Sequence, residues 1–172
     1  VNGLRDQRDK CLDKQAMKER AKHLLTKEDA KPSMYINDLS RLFDINVSAG
    51  IDKFTTGRGV SKGSRHILFH LERSDGITQL QLSKLTHLTA PSISAAVVKM
   101  EQEGLVVRRN DSEDMRQVRV YLTDKGRQLN DLIKQKSRET EDMMLEGLSD
   151  DEQEYMCRLL KKMLTNMVEN GV

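Results

Sequence analysis

The chain has no tryptophan, only 3% aromatic residues, two prolines and two cysteines. With so few rings to fill an interior, a core has to be built from Leu, Ile, Val and the nine methionines. Cys11 and Cys157 lie far apart and form no CxxC pair, which excludes the ribbon-type zinc sites and dithiol redox motifs. No apolar run approaches the roughly 18–20 residues that cross a bilayer. The opening VNGLRDQRDKCLDK is charged where a secretory signal would be apolar. The expectation is a cytoplasmic protein without a membrane segment. A large net charge is missing too; +2 is too little to mark a nucleic-acid binder by itself. There is no Ser-His-Asp order in a supporting context, no phosphate-cradling glycine loop, no dinucleotide fingerprint and no paired carboxylates placed for acid–base work. The expectation is a protein that is not an enzyme and needs no cofactor or metal.

What is present is charge, at 33% of residues, arranged with a mild asymmetry. Residues 58–125 carry 11 Lys/Arg against 8 Asp/Glu, and residues 126–172 carry 7 against 10, so the middle is basic and the end acidic. Residues 1–33 are dense in charge and poor in apolar residues, which suits a polar helix or an arm that orders on a partner. Lys31-Pro32-Ser33 breaks any helix there, so a new segment begins at Met34, itself a candidate native start. From Met34 to about Phe54, Leu39, Leu42, Phe43 and Val47 fit one helical face. After a glycine-containing loop at 55–59, a second helix carries Ile67, Leu68 and Leu71 and stops near Ser74-Asp75-Gly76. Thr78-Gln79-Leu80-Gln81 has the capping-box form and opens a short helix with Leu82 and Leu85 that runs to about Thr86.

The most informative stretch follows. Thr89 or Ala90 sits at a helix cap with Pro91 in the first turn, where its missing amide hydrogen costs little. Ile93, Ala96, Val97 and Met100 recur at i, i+3, i+4 and i+7 as one buried stripe, leaving Ser92, Ser94, Ala95 and Lys99 off it. Gly104 ends the helix. The period then changes to 2: Leu105–Arg109 and the alternating Val118, Val120, Leu122 read as a two-stranded ribbon with a polar tip at 110–116. Thr123-Asp124 opens a further helix, and Ser149-Asp150-Asp151-Glu152 is a second capping box. The last helix carries Met156, Leu159, Leu160, Met163, Leu164 and Met167 at heptad-like spacing, a stripe that suggests pairing with helix 34–54 and with a second copy of the chain.

Short helix, turn, second helix and basic β-ribbon is the order of a winged helix-turn-helix. A helix fits the major groove, where each base pair has a distinct donor and acceptor pattern. A ribbon arginine can reach the minor groove. The chain resembles the multiple-antibiotic-resistance regulator (MarR) family over Met34 to Met167, most strongly over 64–127. The most specific part is EGLVVRR, then Asp111-x-x-Asp114-x-Arg116, then VYLTDKG. The resemblance implies a mainly α fold with a small β-wing, flanked by N- and C-terminal dimerisation helices. Its parts would be a charged extension at 1–33, a dimerisation helix and loop at 34–60, the winged helix at 61–122 and dimerisation helices at 123–172. It implies a homodimer that binds double-stranded DNA at a pseudo-palindromic operator and regulates transcription, as a repressor released by a small phenolic or aromatic effector. Pro91, Ser92 and Ser94 match positions facing the major groove, with Thr89 and Ala95 beside them. Arg116 matches the wing-tip arginine and Asp114 the acid that orients an arginine. Arg108, Arg109 and Lys99 would contact phosphates. Where many relatives carry an arginine after the recognition-helix serine, this chain has Ala95, which shifts affinity toward phosphates and wing. Helices 34–54 and 61–73 would form the effector crevice, with Phe43, His66 and His70 in its lining.

Other readings stay open beside this one. A winged helix can serve a protein partner without DNA. His66 and His70 stand at i, i+4, a spacing that lets two imidazoles face one metal, yet no nearby Cys, Asp or Glu cluster completes a site. Some similar proteins sense zinc, and others sense oxidants through an N-terminal cysteine such as Cys11 would be. Lys10 and Lys14 favour a Cys11 thiolate while Asp9 and Asp13 oppose it. Cys157 reads as a small core residue, Arg119 as a solvated strand residue, and Met143, Met144, Met156, Met163 and Met167 as gap-filling helix packing or the lining of a flexible pocket.

Overall fold

The computed structural model describes residues 2–54, 60–111 and 117–171, with side chains from residue 14 onward except that of Lys53. Its elements are α1 (Asn2–Leu25), α2 (Pro32–Ile51), α3 (Lys62–Arg73), β1 (Ile77–Thr78), α4 (Gln79–Thr86), α5 (Ala90–Gln102), β2 (Val106–Asn110), β3 (Val118–Leu122), α6 (Asp124–Leu145) and α7 (Asp150–Asn170), with a single 3-10 turn at Asp52–Phe54 after α2. By density of contacts the chain divides into two compact units, Val1–Ser137 and Arg138–Val172.

The first unit holds the core. Ile67, Leu68 and Leu71 of α3, Leu82 of α4, Ile93 and Val97 of α5, Val120 of β3 and Leu129 of α6 have no exposed surface, and Leu105 and Val106 join them. Burying one such side chain stabilises the fold by about 1.5–3 kcal/mol, so this cluster fixes how α3, α4, α5 and the sheet sit on each other. The helix starts are set locally. The Ser61 hydroxyl accepts from the Ser64 amide at 3.1 Å. Thr78 and Gln81 form the expected reciprocal capping box, with the Thr78 amide donating to Gln81 Oε1 at 2.8 Å. At the end of α4, His87 takes a left-handed conformation, φ 55°, and turns the chain into α5. Thr86 and Ser83 brace that turn by donating to the carbonyls of Leu82 and Leu88 at 2.7 and 2.6 Å.

The expected two-stranded ribbon is a three-stranded antiparallel sheet in the order β1-β3-β2. Ile77 pairs with Val120 and Thr78 with Arg119. A two-residue strand has no periodicity of its own, and tertiary pairing alone makes it one. Asp75 ties this sheet to the next helix, because its Oδ1 accepts from the Leu122 amide at 2.9 Å and its Oδ2 pairs with Arg127 of α6 at 2.5 Å. Further along, Lys134 of α6 pairs with Glu72 of α3.

Of the two readings of residues 1–33, a polar helix or an arm, the helix is the outcome, while other expectations are corrected. Residues 2–25 are helical, Leu24 is buried, and Arg20 pairs at 3.1 Å with Asp38 of α2, whose side chain is 5% exposed. Pro32 opens α2 at its first position instead of ending a segment before Met34, since a first-turn residue needs no amide hydrogen. On α2 itself, Val47 and Ile51 are buried while Leu39 is 47% exposed and Leu42 and Phe43 are only partly covered. The anticipated face is therefore filled at its C-terminal end alone. Leu85 of α4 is likewise exposed.

In the second unit, Ser149 and Glu152 form the second capping box, with the Ser149 amide donating to Glu152 at 2.8 Å. The helix that follows buries none of its residues. Cys157, expected in a core, is therefore exposed.

Candidate nucleic-acid interface

Steps of 100° around α5 sort its residues into two faces. Ile93, Val97 and Met100 point into the core. On the opposite side Pro91, Ala95, Val98 and Gln102 fall within about 60° of one another, with Ser94 and Lys99 about 70° to either side. These six residues line one shallow, open hollow along the helix. Pro91, Ser92, Ser94 and Ala95 are exposed, and Val98 and Lys99 are partly covered. The start of the helix is held by Thr89, which is exposed. Its hydroxyl accepts from the Ser92 amide at 3.3 Å and lies 2.8 Å from the Ser92 hydroxyl. The structure thus gathers Thr89, Pro91, Ser92, Ser94, Ala95 and Lys99 on one outward surface, with their backbone anchored through the far side of the same helix.

The sheet supplies the second part. Register pairs Arg108 with Val120 and Arg109 with Arg119. Side chains alternate along each strand, so Arg109 shares a face with Arg119 and Tyr121, while Arg108 shares one with Val106, Val120 and Leu122. Arg108 escapes the core by turning back to α5. Its Nε and Nη2 donate to Glu101 Oε2 at 2.8 and 2.5 Å, and its amide donates to Glu101 Oε1 at 3.2 Å. The Arg108 side-chain bond, with lesser help from the amide bond and the charge, holds the Glu101 carboxyl below its ordinary range against the opposing effect of burial. Glu101 in turn raises the Arg108 guanidinium. Arg108 therefore carries a compensated charge, whereas Arg109 is exposed and stacks its guanidinium 5.3 Å from the Tyr121 ring centroid.

Arg119 is no solvated strand residue. It pairs through Nε with Asp111, whose carboxylate is 4% exposed, and donates from Nη1 to the Gly76 carbonyl at 3.0 Å. The Asp111 amide closes the ribbon on the Gln117 carbonyl at 2.9 Å. Gly76 adopts φ +78°, and a Cβ there would come within 2.6 Å of the Tyr121 ring, so glycine is required both for the turn and for that ring. Asp114 and Arg116, expected at the wing tip, lie outside the described residues. Within them, Asp111 orients Arg119 and Glu101 orients Arg108. Glu101, Asp111, Arg119, Tyr121, Val98 and Gln102 were not read as site residues from the sequence. The available signals were that Arg108 has the parity of the core residues and that Asp111 directly follows a strand.

The residues expected around an effector are spread over two helices. Phe43 is partly buried on α2; on α3, His66 is exposed and His70 partly buried. The α2–α3 junction is polar. Arg65, 9% exposed, donates to Asp44 at 2.9 Å and to the Ser48 hydroxyl at 2.6 Å, and Lys62 pairs with Asp44 at 2.7 Å. Lys62 and Arg65 are the α3 side chains that pair with α2 there. Burial, then the neighbouring His66 and Arg73, lower the His70 pKa. Among the described residues no group of three or more His, Cys, Asp or Glu is placed to hold a metal ion. Nor is any helix among them long and apolar enough to cross a membrane.

A capped helix packed behind by a short helix and beside by an antiparallel sheet defines a winged helix-turn-helix protein. More particularly, residues 59–117 match the model of the MarR family. The chain is similar to the uncharacterized HTH-type transcriptional regulator YdgJ of Bacillus subtilis (strain 168), 29% identical over 129 residues, covering 75% of this chain and 78% of that one. A MarR transcriptional regulator from Methanosarcina mazei Go1 has a similar structure, at TM-score 0.65 and 28% identity over 80% of this chain and 96% of that one. The fold is shared by an S. aureus MepR mutant bound to an oligodeoxyribonucleotide, at TM-score 0.56 and 24% identity over 81% and 99% of the two chains.

Proposed function

We propose that this protein is a sequence-specific transcriptional regulator that binds a pseudo-palindromic operator as a homodimer. The observation that carries the reading is the outward face of α5, free of core duties and set beside the Arg109 edge of the sheet. A helix so presented enters the major groove with its first turns toward base edges. Lys99 and Arg109 reach phosphates on either side, and Arg116 enters the adjacent minor groove. Arg108 contributes less than its charge suggests, because Glu101 neutralises it. That the fold neighbour MepR is bound to an oligodeoxyribonucleotide supports the same use of this fold.

The exposed apolar series on α7 supports the homodimer. Leu159, Leu160, Met163, Leu164, Met167 and Val168 are 40–67% exposed in the single chain, an apolar series that a second copy would cover. Two recognition helices would then stand about 34–36 Å apart, one turn of DNA. Bound at a promoter, such a dimer represses. A small phenolic or aromatic effector taken up near Phe43, His66 and His70 would favour another spacing of the two helices and release the DNA by population shift.

Fluorescence anisotropy with the DNA upstream of the gene, and scrambled DNA as control, tests the reading. Preference for the upstream DNA, a steep fall of affinity with salt and weaker binding by Lys99→Ala, Arg109→Ala and Arg116→Ala are expected. Equal, weak binding to both duplexes, unchanged in the three variants, would sink it.

A further inference from the structure

We infer that the recognition helix reads thymine, through its C5-methyl groups, at the centre of each half-site; the inference rests on the DNA-binding reading above. The helix is APSISAAVVKMEQ and contains no arginine and no asparagine. Its three long polar side chains, Lys99, Glu101 and Gln102, all stand in the last turn, away from the N-terminal turns that approach base edges. Glu101 is committed to Arg108. The bidentate pairings that read guanine and adenine are therefore missing where they would be needed.

Along the middle of the outward face the helix presents hydrocarbon instead: the Pro91 ring, the Ala95 methyl and the partly covered Val98 methyls, with the Ser94 hydroxyl beside them. From Pro91 to Val98 the helix rises about 10 Å, the height of roughly three base pairs. In the major groove only thymine shows a methyl group. Any other base would place unpaired polar atoms against Ala95 and Val98 and pay their desolvation. Lys99 stands beside this ridge and Arg109 on β2, the edge strand packed against the same helix, both with positive charge for the phosphates, so the face has one suitable occupant: a duplex with two or three thymines under α5.

The test is selection of duplexes from a random library with the full chain, followed by replacement of single thymines in the selected site with deoxyuridine, which removes only the methyl. Thymines should be enriched at the positions under α5, and each deoxyuridine should weaken binding about fourfold, the equivalent of one buried methyl. 5-Methylcytosine paired with guanine at the same position should restore part of the loss. Val98→Ser should abolish the deoxyuridine effect at one position, and Ala95→Arg should move the preference at its position to guanine. Deoxyuridine without effect, or guanine and cytosine enriched under α5, would overturn the inference while leaving DNA binding intact. Failure to enrich or bind any duplex would overturn both.

Discussion

Arg109 and Arg119 face each other across β2 and β3, and the structure gives them different partners. Arg119→Ala withdraws a guanidinium from the Asp111 carboxylate, which is 4% exposed, and from the Gly76 carbonyl. Hydrogen bonds to charged groups contribute about 1.5–3 kcal/mol each. Arg119 is itself 39% exposed, so water recovers part of the loss, and a net cost of about 2 kcal/mol is expected. With a urea m-value of about 2 kcal/mol/M, the midpoint should fall by roughly 1 M. Arg109→Ala gives up only an exposed cation–π contact worth about 0.5–1 kcal/mol, a shift under about 0.5 M. On DNA the order reverses. Arg109→Ala should flatten the slope of log K against log salt by about 0.9, one phosphate contact. Urea denaturation of parent and both variants at one protein concentration, with a salt series on DNA, measures all four quantities. Equal midpoints for the two variants, or a larger fall for Arg109→Ala, would refute the division of roles.

Gly126→Ala would press a methyl into the Leu105 carbonyl oxygen, backbone that cannot step aside. Its cost should be about 3 kcal/mol, seen as a fall in Tm of roughly 6–12 °C. The Glu101–Arg108 clamp has a definite acid limit. The Glu101 carboxyl lies below its ordinary 4.5, so its stabilisation is complete above 4.5 and is lost as pH falls through the lowered folded value. An NMR carboxyl titration should show Glu101 titrating below 4.5 in the parent and moving up in Arg108→Gln. His70 is held below 6.5 mainly by burial and then by His66, so its neutral form favours folding above 6.5 and that contribution fades as pH falls through the lowered value. In an imidazole NMR titration His66→Gln should raise the His70 pKa without bringing it fully to 6.5. An unchanged His70 would remove His66 as a cause.

The helix α5 was legible because several local signals agree: Thr89 at the cap, Pro91 in the first turn, and Ile93, Val97 and Met100 at core spacing. Agreement of propensity, capping and pattern is what makes a segment readable. β1 was not legible, since Ile77–Thr78 is a strand only through Val120 and Arg119, more than forty residues away in the chain. The fate of each arginine was equally hidden. Arg108, Arg109 and Arg119 are chemically alike, and only strand register and the positions of Glu101, Tyr121 and Asp111 make one a clamp to α5, one an exposed cation and one the partner of a buried acid. Cys157 misled for the converse reason. It sits within an apolar stripe, but that stripe has no buried residue in a single chain.

Hydroxyl-radical footprinting of the full chain on its selected duplex tests the central claim most directly. A homodimer with α5 in successive major grooves should protect two tracts of backbone, with half-site centres about 10–10.5 base pairs apart on one face of the DNA, and Arg109→Ala should weaken both tracts together. A single protected tract, scattered protection without register, or protection indifferent to Arg109 would contradict it.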